Sequence, residues 1–213
     1  MDDSCDVQMS APHKTVMRLL VLVGASLLFG ACTSDSVDSN EQARRAYLGL
    51  DPSVEKSMNL GFAGFNAATS ANIPDQMAAG TETGTLVIGG QVDQGSSSNK
   101  GMRLTVDMTK YSDGPFEVDS NHDKYDITYA TDMATPPALD LQLKGIPTGM
   151  LTGTLAGTYH LTGDIEGDVV LSLTIAGTMA DGGNGTVTRA PGSTTITGTA
   201  TQGSGVYNVN VTL

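Results

Sequence analysis

From Thr81 to its end, the chain alternates hydrophobic and polar residues, and this period of two limits the fold more than any other feature. Met102, Leu104 and Val106, for example, have polar residues between them. A strand of this kind buries one face and leaves the other in water, which is typical of antiparallel sheet. The same pattern recurs over residues 125–129, 139–143, 151–162, 169–179, 186–190, 194–201 and 206–213.

The lengths of these segments indicate a curved sheet. Segments 151–162 and 169–179 are about twice as long as the usual strand of five or six residues. Gly153 and Gly157 in the first of them are typical of bends where a sheet curls. We therefore predict a mainly β protein, with an antiparallel curved sheet, or an open or closed barrel, of about nine or ten strands and an N-terminal helix packed on it. A two-sheet β-sandwich is the alternative. Residues 41–213 are expected to fold as one unit, with 81–213 as its antiparallel β domain.

A helical pattern comes before the strands, and we predict segment 41–80 to be the helical part of the fold. Asp51 followed by Pro52 is typical of an N-cap and the first turn of a helix. Gly61 and Gly64 each cost about 1 kcal/mol of helix propensity relative to alanine, so they suit a helix that packs closely against a sheet. A lipid or other apolar ligand held between helix and sheet would use the same small residues. The apolar face consists of Val54, Met58, Gly61, Phe62 and Phe65.

An uncharged run near the start of the chain indicates export. Residues 19–31 carry no charge, and Lys14 and Arg18 precede them. At about 1.5 Å per residue a helix over this run spans about 20 Å, which is too short for a hydrocarbon core of about 30 Å. The run instead fits the apolar region of a signal peptide.

The end of this run resembles the lipobox at which bacterial lipoprotein signal peptides are cut. Gly30 and Ala31 stand immediately before Cys32, although Phe29 occupies the position where the motif usually has leucine. The resemblance covers residues 9–33 and implies that the Cys32 sulfur receives a diacylglyceryl group. It implies no fold family. An ordinary signal peptide with an incidental cysteine nearby is the alternative.

The resemblance also divides the N-terminal region. Residues 1–31 are expected to be leader and signal peptide, and Met9 is the expected true start because it removes three aspartates from a region that should be positive. Residues 32–40 are expected to form a polar lipidated tether. In enteric bacteria Asp after the lipidated cysteine retains a lipoprotein at the inner membrane, so Thr33 favours the outer membrane.

Charge and cysteine content exclude several classes of protein. Removing residues 1–31 takes three acids and two bases from a chain with 23 Asp plus Glu and 11 Lys plus Arg, which leaves a net charge of −11. This balance excludes nucleic acid as a partner, and it makes membrane attachment depend on the acyl anchor. Because Cys32 is then the one remaining cysteine, no internal disulfide can form and a packed core must stabilise the fold.

The sequence contains one weak candidate for a metal site and no cofactor motif. Asp119, Asn121 and Asp123 have the alternate spacing of a calcium-binding loop. Lys124, however, stands where that loop has its glycine, and Ala130 stands where it has its bidentate glutamate. We therefore predict a solvated turn rather than a metal site.

Catalytic candidates are equally few. His160, Thr162 and Asp164 would lie on one face if their strand continued to Asp164. Positions two apart on a strand are about 7 Å apart, so these three side chains cannot form a proton relay by themselves. A hydrolase-like enzyme would need His160, Asp164 and a hydroxyl to converge in one pocket.

Three functions follow from these features. The first is a non-enzymatic envelope lipoprotein, anchored in the membrane, that binds an apolar ligand or lipid. The second is a structural or interaction lipoprotein that uses a strand edge or its threonine-rich sheet face, which can present a polar lattice to a saccharide or to water; its protein partner is unknown. The third is the hydrolase-like enzyme. The clearest threonine stripe consists of Thr195, Thr197, Thr199 and Thr201.

Overall fold

The structure, a computed structural model, describes residues 35–184 and 186–213. In this part of the chain two helices, α1 (Asn40–Leu48) and α2 (Asp51–Ala67), precede twelve strands. The strands are β1 (Asn72–Ala79), β2 (Thr83–Val92), β3 (Lys100–Ser112), β4 (Phe116–Glu117), β5 (Lys124–Tyr125), β6 (Ile127–Ala130), β7 (Ala138–Lys144), β8 (Met150–Gly163), β9 (Gly167–Gly183), β10 (Thr186–Arg189), β11 (Thr195–Gln202) and β12 (Gly205–Thr212).

Ten of these strands form one antiparallel sheet, which confirms the mainly β prediction. The main path through the sheet is β1-β2-β3-β6-β8-β9-β11-β12; β7 pairs with β3 and β8, and β10 pairs with β9. β4 and β5 pair separately. Since β1 and β12 end the path, this sheet is not closed into a barrel, and its ten strands do not divide into the two sheets of a sandwich. α1 packs against β12 and α2 against β1, which places a helix beside each end of the sheet.

Buried and exposed side chains alternate along the strands, as the period of two in the sequence predicts. In β7, Leu139, Leu141 and Leu143 are buried while the residues between them are exposed. The inward residues of the sheet and the helices share one hydrophobic core. Burying a Leu, Ile or Val side chain contributes about 1.5–3 kcal/mol, so this core stabilises the fold. The described residues belong to one compact unit.

The two helices begin in different ways. Ser39 caps α1, because its hydroxyl accepts a hydrogen bond from Gln42 N at 3.2 Å. Asp51 does not cap α2: Leu50 occupies the cap position without a side-chain bond, and Asp51 is the first helical residue. Its carboxylate is instead bonded by the hydroxyl of Tyr47 and by the guanidinium of Arg189.

The predicted helical segment 41–80 is too long. α2 ends at Ala67, and Asn72–Ala79 forms the edge strand β1, antiparallel to β2. β1 contains Pro74, which cannot donate to a neighbouring strand, and its register shifts between Ile73 and Gln76. An edge strand tolerates proline and such a bulge. The short strand therefore lacks the regular alternation that would have identified it.

The predicted 32–40 tether is not free in the part that the structure describes, because Asp35 and Val37 are docked on the sheet. Asp35 N donates to Asp164 O at 2.9 Å, and Glu166 N donates to Asp35 O at 2.9 Å, which joins the segment to the β8–β9 turn. Val37 is only 2 % exposed and belongs to the core. Cys32 and the 1–31 leader lie outside the described residues. Among the residues that are described, no helix is long and apolar enough to cross a membrane.

Candidate functional site

The outer face of the sheet carries a continuous row of polar side chains, one from each of eight strands. Direct pairing connects each member to the next across the sheet, and all eight residues are exposed. At about 4.8 Å per strand the row extends about 34 Å along the sheet. We call it the polar row; from β1 to β12 it consists of Asn72, Gln91, Arg103, Asp140, Thr154, Thr174, Thr197 and Asn210.

The two halves of the polar row differ in chemistry. In the first half Gln91 Nε2 donates to Asn72 Oδ1 at 2.9 Å, and Arg103 pairs with Asp93 at 3.1 Å. The second half consists of the threonines on β8, β9 and β11 followed by an asparagine on β12. Thr154, Thr174 and Thr197 present hydroxyls that can both donate and accept. This half of the row therefore displays a repeated neutral hydrogen-bonding group.

A shallow groove of about 350 Å³ lies on this threonine half of the row. Its lining combines the carboxylate of Asp140, the amide of Gln142 and several hydroxyls with the apolar methyl group of Ala176. Such a set can bond both the donors and the acceptors of a sugar ring, and its apolar part can contact the ring's C–H groups. We call this site the sheet-face groove. The hydroxyls come from Thr152, Thr154 and Thr174.

A second cavity, of about 460 Å³, opens on the outer face between β3, β6 and β8. It is formed where the pairing of β2 with β3 shifts register between Thr83 and Thr85. At this bulge Lys110 has φ of 47°, in the left-handed region that lysine seldom occupies. We call this cavity the strand-gap pocket. Its lining consists of Thr83, Lys110, Thr128, Tyr129, Ala130, His160 and Thr162.

The structure brings two of the three predicted catalytic candidates together and places the third elsewhere. His160 and Thr162 both line the strand-gap pocket, but Asp164 lies in the β8–β9 turn, where its carboxylate accepts from Asp126 N at 2.8 Å. His160 Nδ1 is paired instead with Asp168 Oδ1 at 2.6 Å. The sequence prediction missed Asp168 because β8 ends at Gly163, and the hairpin register then places Asp168 directly opposite His160. The His160 side chain is 43 % exposed and that of Asp168 is 72 % exposed, which is typical of a surface pair.

The weak metal candidates form the turn that the sequence predicted. Asp119 Oδ1 accepts a hydrogen bond from Asn121 N at 2.9 Å, so this carboxylate stabilises the loop locally. Asp123 contributes its backbone carbonyl, which accepts from Val118 N at 3.0 Å. Within residues 35–184 and 186–213, no three His, Cys, Asp or Glu side chains are grouped in a way that could hold a metal ion.

A buried ionic cluster joins the start of α2 to β10. Arg189 donates from two nitrogens to the two oxygens of Asp51, at 2.8 and 2.6 Å, and Tyr47 donates to Asp51 at 2.6 Å. Burial lowers the pKa of Arg189, but the hydrogen bonds and the charge of Asp51 outweigh it and raise that pKa above its ordinary value. Burial, and then the charge of Asp51, raises the pKa of Tyr47. Of the guanidinium nitrogens only Arg189 Nε lacks a hydrogen bond, and it lies 3.7 Å from Glu55 Oε2. Because the other groups of the cluster bond one another, we assign it a structural role.

The space between α2 and the sheet is filled at both helix glycines. A Cβ at Gly61 would lie 3.0 Å from Met102 Sδ, and one at Gly64 would lie 2.7 Å from Ile73 Cδ1. The close packing predicted for these glycines is therefore present. No ligand can be inserted at either position without displacing core side chains.

Among the cavities of the described residues, we take the sheet-face groove and the strand-gap pocket as the candidate sites for a ligand. The chain matches no protein-family model, no curated protein and no solved structure.

Proposed function

We propose that this protein is a non-enzymatic lipoprotein of the bacterial cell envelope, outer membrane favoured, that is anchored through Cys32 and binds a neutral saccharide in the sheet-face groove. The sequence from Lys14 to Cys32 supports the anchor. The groove supports the ligand class, and the observation that carries this part is the exposed threonine half of the polar row.

Charge favours a neutral ligand over an acidic one. The chain has a net charge of −12, and Asp140 adds a carboxylate to the groove itself. An acidic polymer would be repelled by both, whereas the hydroxyls of a neutral sugar are bonded equally well by threonine, amide and carboxylate groups.

The anchor is tested by measuring lipid incorporation and detergent partitioning of the protein expressed in cells. Radiolabelled palmitate should be incorporated into the wild-type chain, and the protein should partition into the detergent phase. Cys32→Ser should abolish both, because two or more acyl chains are needed for stable attachment. Labelling and partitioning that continue unchanged in Cys32→Ser would refute the anchor.

The ligand class is tested with threonine-to-valine exchanges on the outer face. Valine keeps the β-branched shape that suits a strand and removes only the hydroxyl. We expect the triple variant of Thr152, Thr154 and Thr174 to lose about tenfold or more in affinity for neutral oligosaccharides, since each lost hydrogen bond contributes about 0.5–1.5 kcal/mol. Isothermal titration calorimetry on a panel of neutral and acidic oligosaccharides measures this.

Two controls make the saccharide test decisive. Thr→Ser at the same three positions keeps the hydroxyls and should keep the affinity. Thr186→Val lies on β10, away from the groove, and should also bind normally. Absence of binding to every saccharide on the panel, or equal affinity in the triple valine variant, would refute the ligand class while leaving the anchor untouched.

The strand-gap pocket supports a second candidate, an apolar ligand or lipid fragment. Its volume of about 460 Å³ falls within the range of about 300–1,000 Å³ that is usual for small-molecule sites. Native mass spectrometry of the purified chain tests this candidate. A bound amphiphile that is lost in Ala130→Arg, which fills the pocket, would support it, and a ligand-free chain would count against it.

A further inference from the structure

The N-terminal segment at residues 35–37 is docked against the sheet before α1 begins. Asp35 is bonded on both sides to the β8–β9 turn, through Asp164 and Glu166. Val37 N also donates to the side chain of Gln202 at the end of β11, and Gln202 Nε2 donates to Glu166 O at 2.8 Å. The segment is therefore fixed to two neighbouring strand ends before α1 begins.

The length of chain between Cys32 and this docked segment is short. Only Thr33 and Ser34 separate Cys32 from Asp35. With consecutive Cα atoms 3.8 Å apart, the Cα atoms of Cys32 and Asp35 can be separated by at most about 11 Å. A free tether of eight residues could extend to about 27 Å. The docking thus more than halves the reach of an anchor placed on Cys32.

Several turns lie together at this end of the sheet. The antiparallel pairings bring the β8–β9 turn, residues 164–166, beside the β11–β12 turn, residues 203–204, and beside the start of β6. The turn between β7 and β8, residues 145–149, lies at the opposite end of β8. Because β8 has 14 residues, its two ends stand about 43 Å apart along the strand.

We propose that the β8–β9 and β11–β12 turns form the membrane-facing end of the protein, held against the phospholipid headgroups, while the β7–β8 turn points away from the bilayer. This inference rests on the proposed lipidation of Cys32. The partner is the headgroup layer of the bilayer itself.

The charge of this end determines which headgroups it tolerates. Asp164, Glu166 and Asp168 lie in or next to the β8–β9 turn, and Asp126 precedes β6. Carboxylates at a bilayer surface are repelled by anionic lipids, and added salt screens that repulsion. The turns should therefore approach a zwitterionic surface more closely than an anionic one.

The orientation is tested on vesicles with a lipid attached chemically at residue 32. A chain that begins at Cys32 is ligated through its N-terminal cysteine to a thioester-bearing phospholipid, a reaction that spares internal thiols. Glu166→Cys and Thr148→Cys, both at exposed positions, are each labelled with a small fluorophore while Cys32 is protected as its thiazolidine, and Cys32 is deprotected before the ligation. Phosphatidylcholine vesicles carry a nitroxide quencher on the lipid headgroup.

We expect the label at residue 166 to be quenched at least about twofold more strongly than the label at residue 148, since the two stand at opposite ends of a strand about 43 Å long. Replacing part of the phosphatidylcholine by phosphatidylglycerol should reduce the quenching at residue 166, and salt should restore it. Equal quenching at the two positions, or stronger quenching at residue 148, would overturn the proposed orientation.

A matched variant tests whether the short link is responsible. Six Gly and Ser residues inserted between Thr33 and Ser34 leave the docked segment intact but lengthen the link from two residues to eight, with a typical end-to-end distance of about 16 Å. Quenching at residue 166 should fall toward the value at residue 148. An insertion that changes nothing would also overturn the inference.

The two proposals fail separately in these experiments. The ligation supplies the anchor whether or not the cell does, so the quenching pattern does not depend on natural lipidation. If quenching is stronger at residue 166 than at residue 148 but Cys32→Ser leaves detergent partitioning unchanged, only the lipidation of Cys32 is refuted. Lipidation in cells together with uniform quenching would refute the orientation alone.

Discussion

The two glycines of α2 provide a matched test of how completely the space beneath this helix is filled. Gly61→Ala and Gly64→Ala make the same chemical change on the same helix, and each gains about 1 kcal/mol of helix propensity. They differ in what the new methyl group meets. Any difference in stability between the two variants therefore measures packing rather than backbone propensity.

At Gly64 the new Cβ would lie 2.7 Å from Ile73 Cδ1 and 3.0 Å from Ile73 Cβ. The second contact is the decisive one, because a Cβ cannot rotate away and the side chain is β-branched. Overpacking of this kind costs about 1–3 kcal/mol. After the gain in propensity, we expect Gly64→Ala to be destabilised by about 0–2 kcal/mol.

At Gly61 the nearest atom is Met102 Sδ, at 3.0 Å, followed by Leu104 Cδ1 at 3.3 Å. The thioether of a methionine adjusts readily to a small displacement. We therefore expect Gly61→Ala to keep its gain in helix propensity and to be about 1 kcal/mol more stable than wild type. The two variants should then differ by about 1–3 kcal/mol, which corresponds to about 2–12 °C in Tm for a chain of this size.

Urea unfolding followed by circular dichroism measures this difference. Ile73→Val, which shortens the obstructing side chain, should cost less stability in the Gly64→Ala background than in wild type, because the two changes couple through one contact. If Gly64→Ala were as stable as Gly61→Ala, free space would exist beneath α2. The packing argument would then be wrong, and a ligand site between helix and sheet would regain support.

Three further predictions concern the polar contacts. Arg189→Met should cost about 3–5 kcal/mol in urea unfolding, because it leaves Asp51 buried at 8 % exposure without its ion partner, and adding Asp51→Asn should recover part of that loss. The hydrogen bond from Arg44 is the main cause that lowers the pKa of Glu41 from 4.5 to about 2, so Glu41 stabilises the fold above pH 4.5 and loses this effect as the pH falls toward 2. Glu41 is exposed, so at neutral pH Glu41→Gln should cost less than about 1 kcal/mol, and this difference from wild type should disappear in acid. Gln202→Ala should speed proteolysis around residues 35–38 without changing global unfolding, since it removes the hydrogen bonds to Val37 and Glu166.

The sequence predicted the sheet well because its strands bury only one face. Segments such as 139–143 and 169–179 alternate regularly, and β7 and β9 contain them. β1 was missed because an edge strand with Pro74 and a bulge has no such alternation. The boundary between helix and strand at residues 68–71 therefore could not be located from periodicity.

The candidate sites were harder to predict because they depend on register, which periodicity does not determine. Neighbours in the polar row such as Arg103 and Asp140 are separated by many residues, and only strand pairing brings them together. His160 shows the same effect over a short distance, since one hairpin register selects Asp168 as its partner instead of Asp164. The docking of Asp35 was missed for another reason: it depends on backbone bonds, which leave no pattern in the side chains.

The proposed membrane-facing end and the proposed saccharide site lie on separate parts of the same sheet, and this separation can be tested. Thr154 lies nine residues before Gly163 on β8, so the sheet-face groove is at most about 30 Å from the proposed membrane-facing end. The groove would then open sideways into the aqueous layer above the bilayer. We expect the insertion after Thr33 to reduce quenching at residue 166 and leave saccharide affinity unchanged. The triple threonine-to-valine variant should do the reverse, because it changes no contact of the docked segment. If either change altered both measurements, the two surfaces would not be independent, and the assignment of one end to the membrane and one face to the ligand would be wrong.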